Sequence, residues 1–133
     1  MVVADGEGVP LGILTESASR HEVTLIEETL DAVVVPPERL TCLVYDKAGD
    51  SDRLRDAMAA RGVEFICPHR ANRRKAKRQD GRKLRRYARR WKIERTISWL
   101  GGFRRLVVRY EHKITLFTGF VHVACLMITL RKL

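Results

Sequence analysis

Between Arg70 and Arg95, 14 of 26 residues are Lys or Arg, and the acids in that run are Asp80 and Glu94. Tyr87, Arg90, Glu94 and Ile97 recur at i, i+3, i+7 and i+10, a spacing that puts them along one face of a helix. The plainest role for Glu94 is an ion pair with Arg90, worth only about 0.2–0.5 kcal/mol. A carboxylate among so many cations has a second use. It can hold a divalent metal beside a phosphate, with the cations gripping a nucleic-acid backbone and the metal activating the reacting oxygen. That chemistry needs further carboxylates. Asp46 is the candidate, because it follows the apolar, β-favouring run Thr41 to Tyr45, and sheets of alternating strands and helices gather ligands where strands end. A turn or helix-capping aspartate is the ordinary alternative, for Asp46 as for Asp50 and Asp52. Cys67-Pro68-His69 resembles half a metal site. Without a second pair, and with Cys42, Cys67 and Cys125 showing no CxxC spacing, a buried or incidental thiol is the better reading.

These residues need a frame. Val2 to Leu14 reads as strand, turn, strand, with Gly6 and Gly8 available for positive φ in the turn. Val23, Ile26, Leu30 and Val33 have helical spacing; Ser19 and Glu22 form a candidate capping box, and Pro36-Pro37 stops the helix. Thr41 to Tyr45 and Val63 to Cys67 are strand candidates, separated by a helix over Ser51 to Arg61 that Gly62 closes. The order β-β-α-β-α-β predicts a mixed sheet with helices packed on it. Residues 68–82 form a basic loop expected to order on binding. Lys83 to Leu100 is expected as one helix ended by Gly101-Gly102, in which Trp91 and Trp99 pack against the core. The whole of 83–133 then supplies C-terminal helices.

The 133 residues suit one domain, and 45% hydrophobic content is ordinary for a globular fold. The net charge of +10 is not ordinary and points to a polyanion. It is also split: residues 1–64 carry six Lys or Arg against 13 Asp or Glu, and residues 65–133 carry 20 against three. The basic run would repel itself unless a polyanion or the acidic half lay close by. Ile114 to Leu130 is apolar over 17 residues, the lower edge of membrane-spanning length, but His122 at its middle favours a helix buried in a protein core. No charged start followed by an apolar run is apparent, so no signal peptide is expected, and the expected location is the bacterial cytoplasm, beside the nucleoid.

One resemblance covers essentially the whole chain. Arg85 to Glu111, RRYARRWKIERTISWLGGFRRLVVRYE, resembles the third-acid region of the insertion-sequence DDE transposases in the IS-five-like group, within the IS-four superfamily. Tyr87, Arg90 and Glu94 match its Y-x-x-R-x-x-x-E pattern. Tyr45 to Arg55, YDKAGDSDRLR, resembles the second-acid region, and GVPLGILTESASRHEVTLIEETLD resembles the hairpin and helix before it. The resemblance implies an α/β, ribonuclease H-like mixed sheet with flanking helices. It makes Asp46 and Glu94 catalytic metal ligands, with Tyr87 and Arg90 supporting them. Mg²⁺ or Mn²⁺ is the implied cofactor, as two ions about 4 Å apart that first activate water and then a freed 3′-hydroxyl. The basic run offers Arg73, Arg74, Lys75, Arg85, Arg86 and Arg89 as DNA contacts, and the resemblance adds Arg104 and Arg105.

The match has departures. The family's basic residue seven positions after the glutamate falls at Gly101, so its role is absent or passes to Arg104 or Arg105. An aromatic is usual where Gly49 stands, which predicts a looser turn behind Asp46. The first acid belongs on a first strand that this chain lacks, and Asp5 is explained by its hairpin turn. A partial catalytic domain, inactive until an upstream reading-frame product is fused to it or bound, is therefore expected. Its partners would be the element's ends and target DNA, with oligomerisation possible in the DNA complex. The rivals are a non-catalytic DNA-binding fragment or transposition inhibitor, and an RNA-binding protein that stacks Tyr87, Trp91 and Trp99 on bases.

Overall fold

The computed structural model describes residues 1–79 and 81–132, apart from the Pro37 side chain; Asp80, named in the basic run above, lies outside them. The chain divides into two compact units, Met1–Val34 with Lys92–Leu133, and Val35–Trp91.

In the first unit, β1 (Val2–Ala4) and β2 (Pro10–Ile13) form the expected antiparallel hairpin, with Val2 opposite Ile13. Its turn is closed by Asp5, whose Oδ1 accepts from the amides of Glu7 and Val9, both at 2.8 Å. Gly8 takes the positive φ of 82°, a conformation that costs a glycine little. The 3₁₀ turn Glu22–Leu25 leads into α1 (Ile26–Asp31), which buries Ile26, Thr29 and Leu30. The expected capping box is not formed. The Ser19 hydroxyl bonds instead to that of Ser17, a local contact that competes with capping, and the helical turn opens at Glu22 without a side-chain cap.

Helix α3 (Trp91–Gly101), the short α4 (Arg104–Val107) and α5 (Ile114–Leu130) complete this unit. Leu100, Ala124 and Ile128 form its core, with Val2, Trp99, Phe103, Leu106 and Cys125 packed around them. Helix α5 has the expected bounds but not the expected burial. Val121, Ala124 and Ile128 are buried, while Leu116, Phe120, Val123, Met127 and Leu130 are 40–59% exposed. Only one stripe of an all-round apolar helix is buried in this unit. Among the described residues no helix is long and apolar enough to cross a membrane.

The second unit holds β3 (Cys42–Val44) and β4 (Glu64–Ile66), paired in parallel through α2 (Asp52–Ala60), with Leu54, Met58, Ile66 and Cys67 almost fully buried. Gly62, at φ 70°, ends α2 as expected. The single mixed sheet is not seen. Among the described residues there are two two-stranded sheets, β1-β2 and β3-β4, so the molecule is mixed α/β with small sheets. Each strand has only three or four residues and a ladder on one edge. Lys83–Arg90, expected as helix continuous with α3, is a 3₁₀ helix. 3₁₀ geometry eclipses i and i+3, which puts Lys83 and Arg86 on one side, and both reach Glu64, each at 2.8 Å.

Candidate active site

Asp46 stands where β3 ends. The ladder runs one residue past β3, with the Tyr45 amide on the Ile66 carbonyl at 2.9 Å, and the chain then turns into the 3₁₀ segment Lys47–Gly49. Asp46 caps that turn, its Oδ1 accepting from the Ala48 amide at 2.8 Å. The side chain is exposed. It is thus a capping aspartate in geometry, and its Oδ2 carries no capping bond. Behind it Gly49 is buried, and an added Cβ would meet Tyr45 Cδ1 at 2.6 Å and Phe65 Cζ at 3.2 Å. The turn is therefore tightly packed rather than loosened, because the Tyr45 ring fills the space beside Gly49.

The centre of this region is a residue that the spacing argument treated as a turn aspartate. Asp50 has a side chain only 1% exposed, and its Oδ1 accepts from Arg55 Nη2 at 3.0 Å, Arg73 Nη1 at 3.1 Å and His69 Nδ1 at 3.0 Å. Its Oδ2 accepts from the Arg70 amide at 2.8 Å. Burial pushes this carboxyl up, but the Arg70 amide, His69, Arg55 and Arg73 more than reverse that and hold it far below the usual carboxylate range. Arg55 also donates to the Cys67 carbonyl at 2.8 Å and to Gln79 Oε1 at 3.1 Å. Cys67 is a buried thiol, not half a metal site: its Sγ donates to the Asp46 carbonyl, and burial pushes its pKa up to about 11.

The basic loop is consequently ordered on acids of its own unit. Arg73 pairs with Asp52 at 2.5 Å, Lys75 with Asp52 at 3.4 Å, and Arg78 with Asp56 at 2.7 Å. Arg73, expected to contact DNA, has a side chain only 9% exposed and is held by Asp50 and Asp52. Arg74, Arg85 and Arg89 are exposed, and Arg86 is held by Glu64. Tyr87 and Arg90 meet as a cation–π pair, the guanidinium carbon 5.8 Å from the ring centroid.

Glu94 belongs to the other unit, in the first turn of α3, and is exposed. The opposite side of α3 fixes it. Thr96 Oγ1 donates to the Gly8 carbonyl at 2.7 Å, Arg95 Nη2 to the Glu7 carbonyl at 2.7 Å, and Lys92 Nζ to the Gly6 carbonyl. Lys92, Arg95, Thr96 and Trp99 share one face at i, i+3, i+4 and i+7, so the hairpin turn grips α3 from the side away from Glu94. Trp99 packs in the core between the Arg95 and Lys132 cations, 4.9 and 4.8 Å from its ring; Trp91, expected beside it, is 51% exposed. Arg104 is exposed, and Arg105 bonds Glu111 at 2.9 Å and lies over the Tyr110 and Phe120 rings.

Two exposed carboxylates are hard oxygen donors suited to Mg²⁺ or Mn²⁺. Among the described residues no three His, Cys, Asp or Glu side chains are grouped so as to hold a metal ion.

A family model described as "Transposase DDE domain" matches residues 1–129. A Burkholderia cepacia protein, named as a candidate transposase for insertion sequence element IS402, is 33% identical over 141 aligned positions, covering 98% of this chain and 63% of that relative. The chain thus spans about 63% of the length of the curated relative it matches. No solved structure matches it. With nearly its whole length inside the family model, the chain belongs to the transposase DDE domain family.

Proposed function

We propose that this chain forms the later part of the catalytic domain of an insertion-sequence transposase, which cleaves and joins DNA strands with Asp46 and Glu94 as metal-binding acids. The observation that carries this reading is the placement of Asp46: an exposed carboxylate at the end of a parallel strand, in a packed turn beside a basic segment. Tyr87 and Arg90, paired through the ring, support the segment that leads into α3 and Glu94. Arg74, Arg85, Arg89 and Arg104, all exposed, hold the phosphate backbone at the element's ends and at the target. When bound, Mg²⁺ or Mn²⁺ supplies Lewis-acid polarisation of the phosphate and activation of the attacking oxygen.

Asp5 is spent on the amides of Glu7 and Val9 in the hairpin turn, so a further carboxylate is needed. We assign it to a segment outside these 133 residues, contributed by fusion or association. The second edge of β3, which has no ladder among the described residues, suits a strand that would extend the sheet toward a ribonuclease H-like form. The same commitment of Asp5 favours a second reading, DNA binding without cleavage.

Cleavage of the element's terminal repeats by a transposase carrying this chain separates the two. Glu94→Gln and Asp46→Asn are expected to lower strand cleavage by at least about 100-fold, with DNA affinity retained. Unchanged cleavage in Glu94→Gln rules the catalytic assignment out. DNA binding without metal-dependent cleavage in the wild type supports the second reading.

A further inference from the structure

We infer that Asp50 is the positioning residue of the candidate active site, fixing the turn that presents Asp46 through the guanidinium of Arg70 and the thiol of Cys67. Three consecutive carbonyls of that turn are each taken by a side chain from beyond β4. Arg70 Nε donates to Lys47 O at 3.0 Å, Arg70 Nη2 to Ala48 O at 2.6 Å, and Cys67 Sγ to Asp46 O at 2.9 Å. Both donors lead back to Asp50. It accepts the backbone amide of Arg70, and it shares Arg55 Nη2 with the carbonyl of Cys67.

A 3₁₀ turn of three residues needs no such apparatus. Its own backbone bonds, Gly49 N to Asp46 O at 3.1 Å and Asp50 N to Lys47 O at 3.3 Å, already close it. Nor is a buried carboxylate between two guanidinium groups, Arg55 and Arg73, an economical way to gain stability, since desolvation offsets most of the attraction. What the arrangement adds is direction. A metal ligand must be held to within about 0.5 Å of its working place, and a network with every oxygen committed supplies that rigidity. Asp50 touches no reacting group, so it acts through the turn.

The geometry of this latch stands by itself; its catalytic meaning rests on Asp46 being a metal ligand. The test has two readouts. In the full 133-residue chain, hydrogen exchange is followed at the Ala48 amide, which bonds Asp46 Oδ1, against the Tyr45 amide in the ladder as control. In the transposase containing the chain, the metal concentration for half-maximal cleavage is measured beside DNA affinity. Asp50→Asn and the surface variant Arg70→Ala, the second guarding against misfolding of the first, are expected to speed Ala48 exchange on the order of tenfold while Tyr45 is unchanged. Both should raise the half-saturating metal concentration without changing DNA affinity, and Arg70→Lys, keeping one donor, should recover part of each loss. Unchanged Ala48 exchange in Arg70→Ala overturns the latch. Faster exchange with an unmoved metal requirement overturns its positioning role. If the wild-type transposase shows no metal-dependent cleavage, the functional assignment falls, and the exchange data still decide whether Asp50 holds the turn.

Discussion

At Gly49 the packing leaves no space for a side chain, since a Cβ would stand 2.6 Å from the Tyr45 ring. Gly49→Ala must displace that ring from a buried contact with Phe65, and overpacking of this kind costs about 1–3 kcal/mol, to be read as a lowered thermal midpoint. Gly49 stands where the family usually has an aromatic, and only the fold shows that the ring of Tyr45, four residues earlier, takes that place. Asp50 has a different signature. Its carboxyl is driven up by burial and further down by the Arg70 amide, His69, Arg55 and Arg73, ending well below the ordinary aspartate value of 3.8. A carboxylate held low contributes stability in full above that ordinary value and loses it as pH falls through the folded-state value. The stability difference between the wild type and Asp50→Asn should therefore be flat from neutral pH to about 5 and shrink only in stronger acid; denaturant melts across pH measure it. Nothing in the spacing of Asp50 distinguished it from Asp52, because its partners, Arg55 apart, come from His69 onward and only the chain's return through β4 brings them near.

At the scale of elements, the basic loop and α2 act as a charge pair. Self-repulsion in the basic run called for either a polyanion or the acidic half close by, and acids of the chain itself, Asp52, Asp56 and Glu64, meet Arg73, Lys75, Arg78, Lys83 and Arg86. Contacts of about 20 residues' separation leave no periodic trace, so the partners themselves were not legible. Neutralising an exposed acid should release cations for DNA. Asp56→Asn is expected to tighten duplex binding at low salt and to steepen the slope of log affinity against log salt by about one unit, with little change in stability because exposed pairs contribute about 0–1 kcal/mol. A salt titration with labelled duplex reads both. The 3₁₀ form of Lys83–Arg90 belongs to the same balance. Propensity favoured α-helix there, whereas in the 3₁₀ form Lys83 and Arg86 both reach Glu64.

For the whole molecule, the order of strands and helices was readable from apolar runs and turn residues, and β1 to β4, α2 and α5 fall where these place them. The joining of strands into one sheet was not, since three-residue strands carry no signal of which edge meets which. Burial of α5 was misjudged for a related reason: hydropathy reports an apolar helix, not which of its stripes has a partner. Ile128→Ala should cost about 2–5 kcal/mol as a buried truncation. Val123→Ser, on the exposed stripe, should change the unfolding free energy, read from denaturant melts, by only about 0.5 kcal/mol in either direction.

The central claim is that Asp46 and Glu94 hold catalytic metal, and exchanging the ligand atom tests it most directly. Asp46→Cys in the transposase replaces a hard oxygen by sulfur, which Mg²⁺ binds poorly and Mn²⁺ accepts more readily. Terminal-repeat cleavage by this variant should be lost in Mg²⁺ and partly restored in Mn²⁺, while the wild type cleaves in both. Equal activity of the variant in the two metals, or wild-type cleavage that needs neither, would contradict the account.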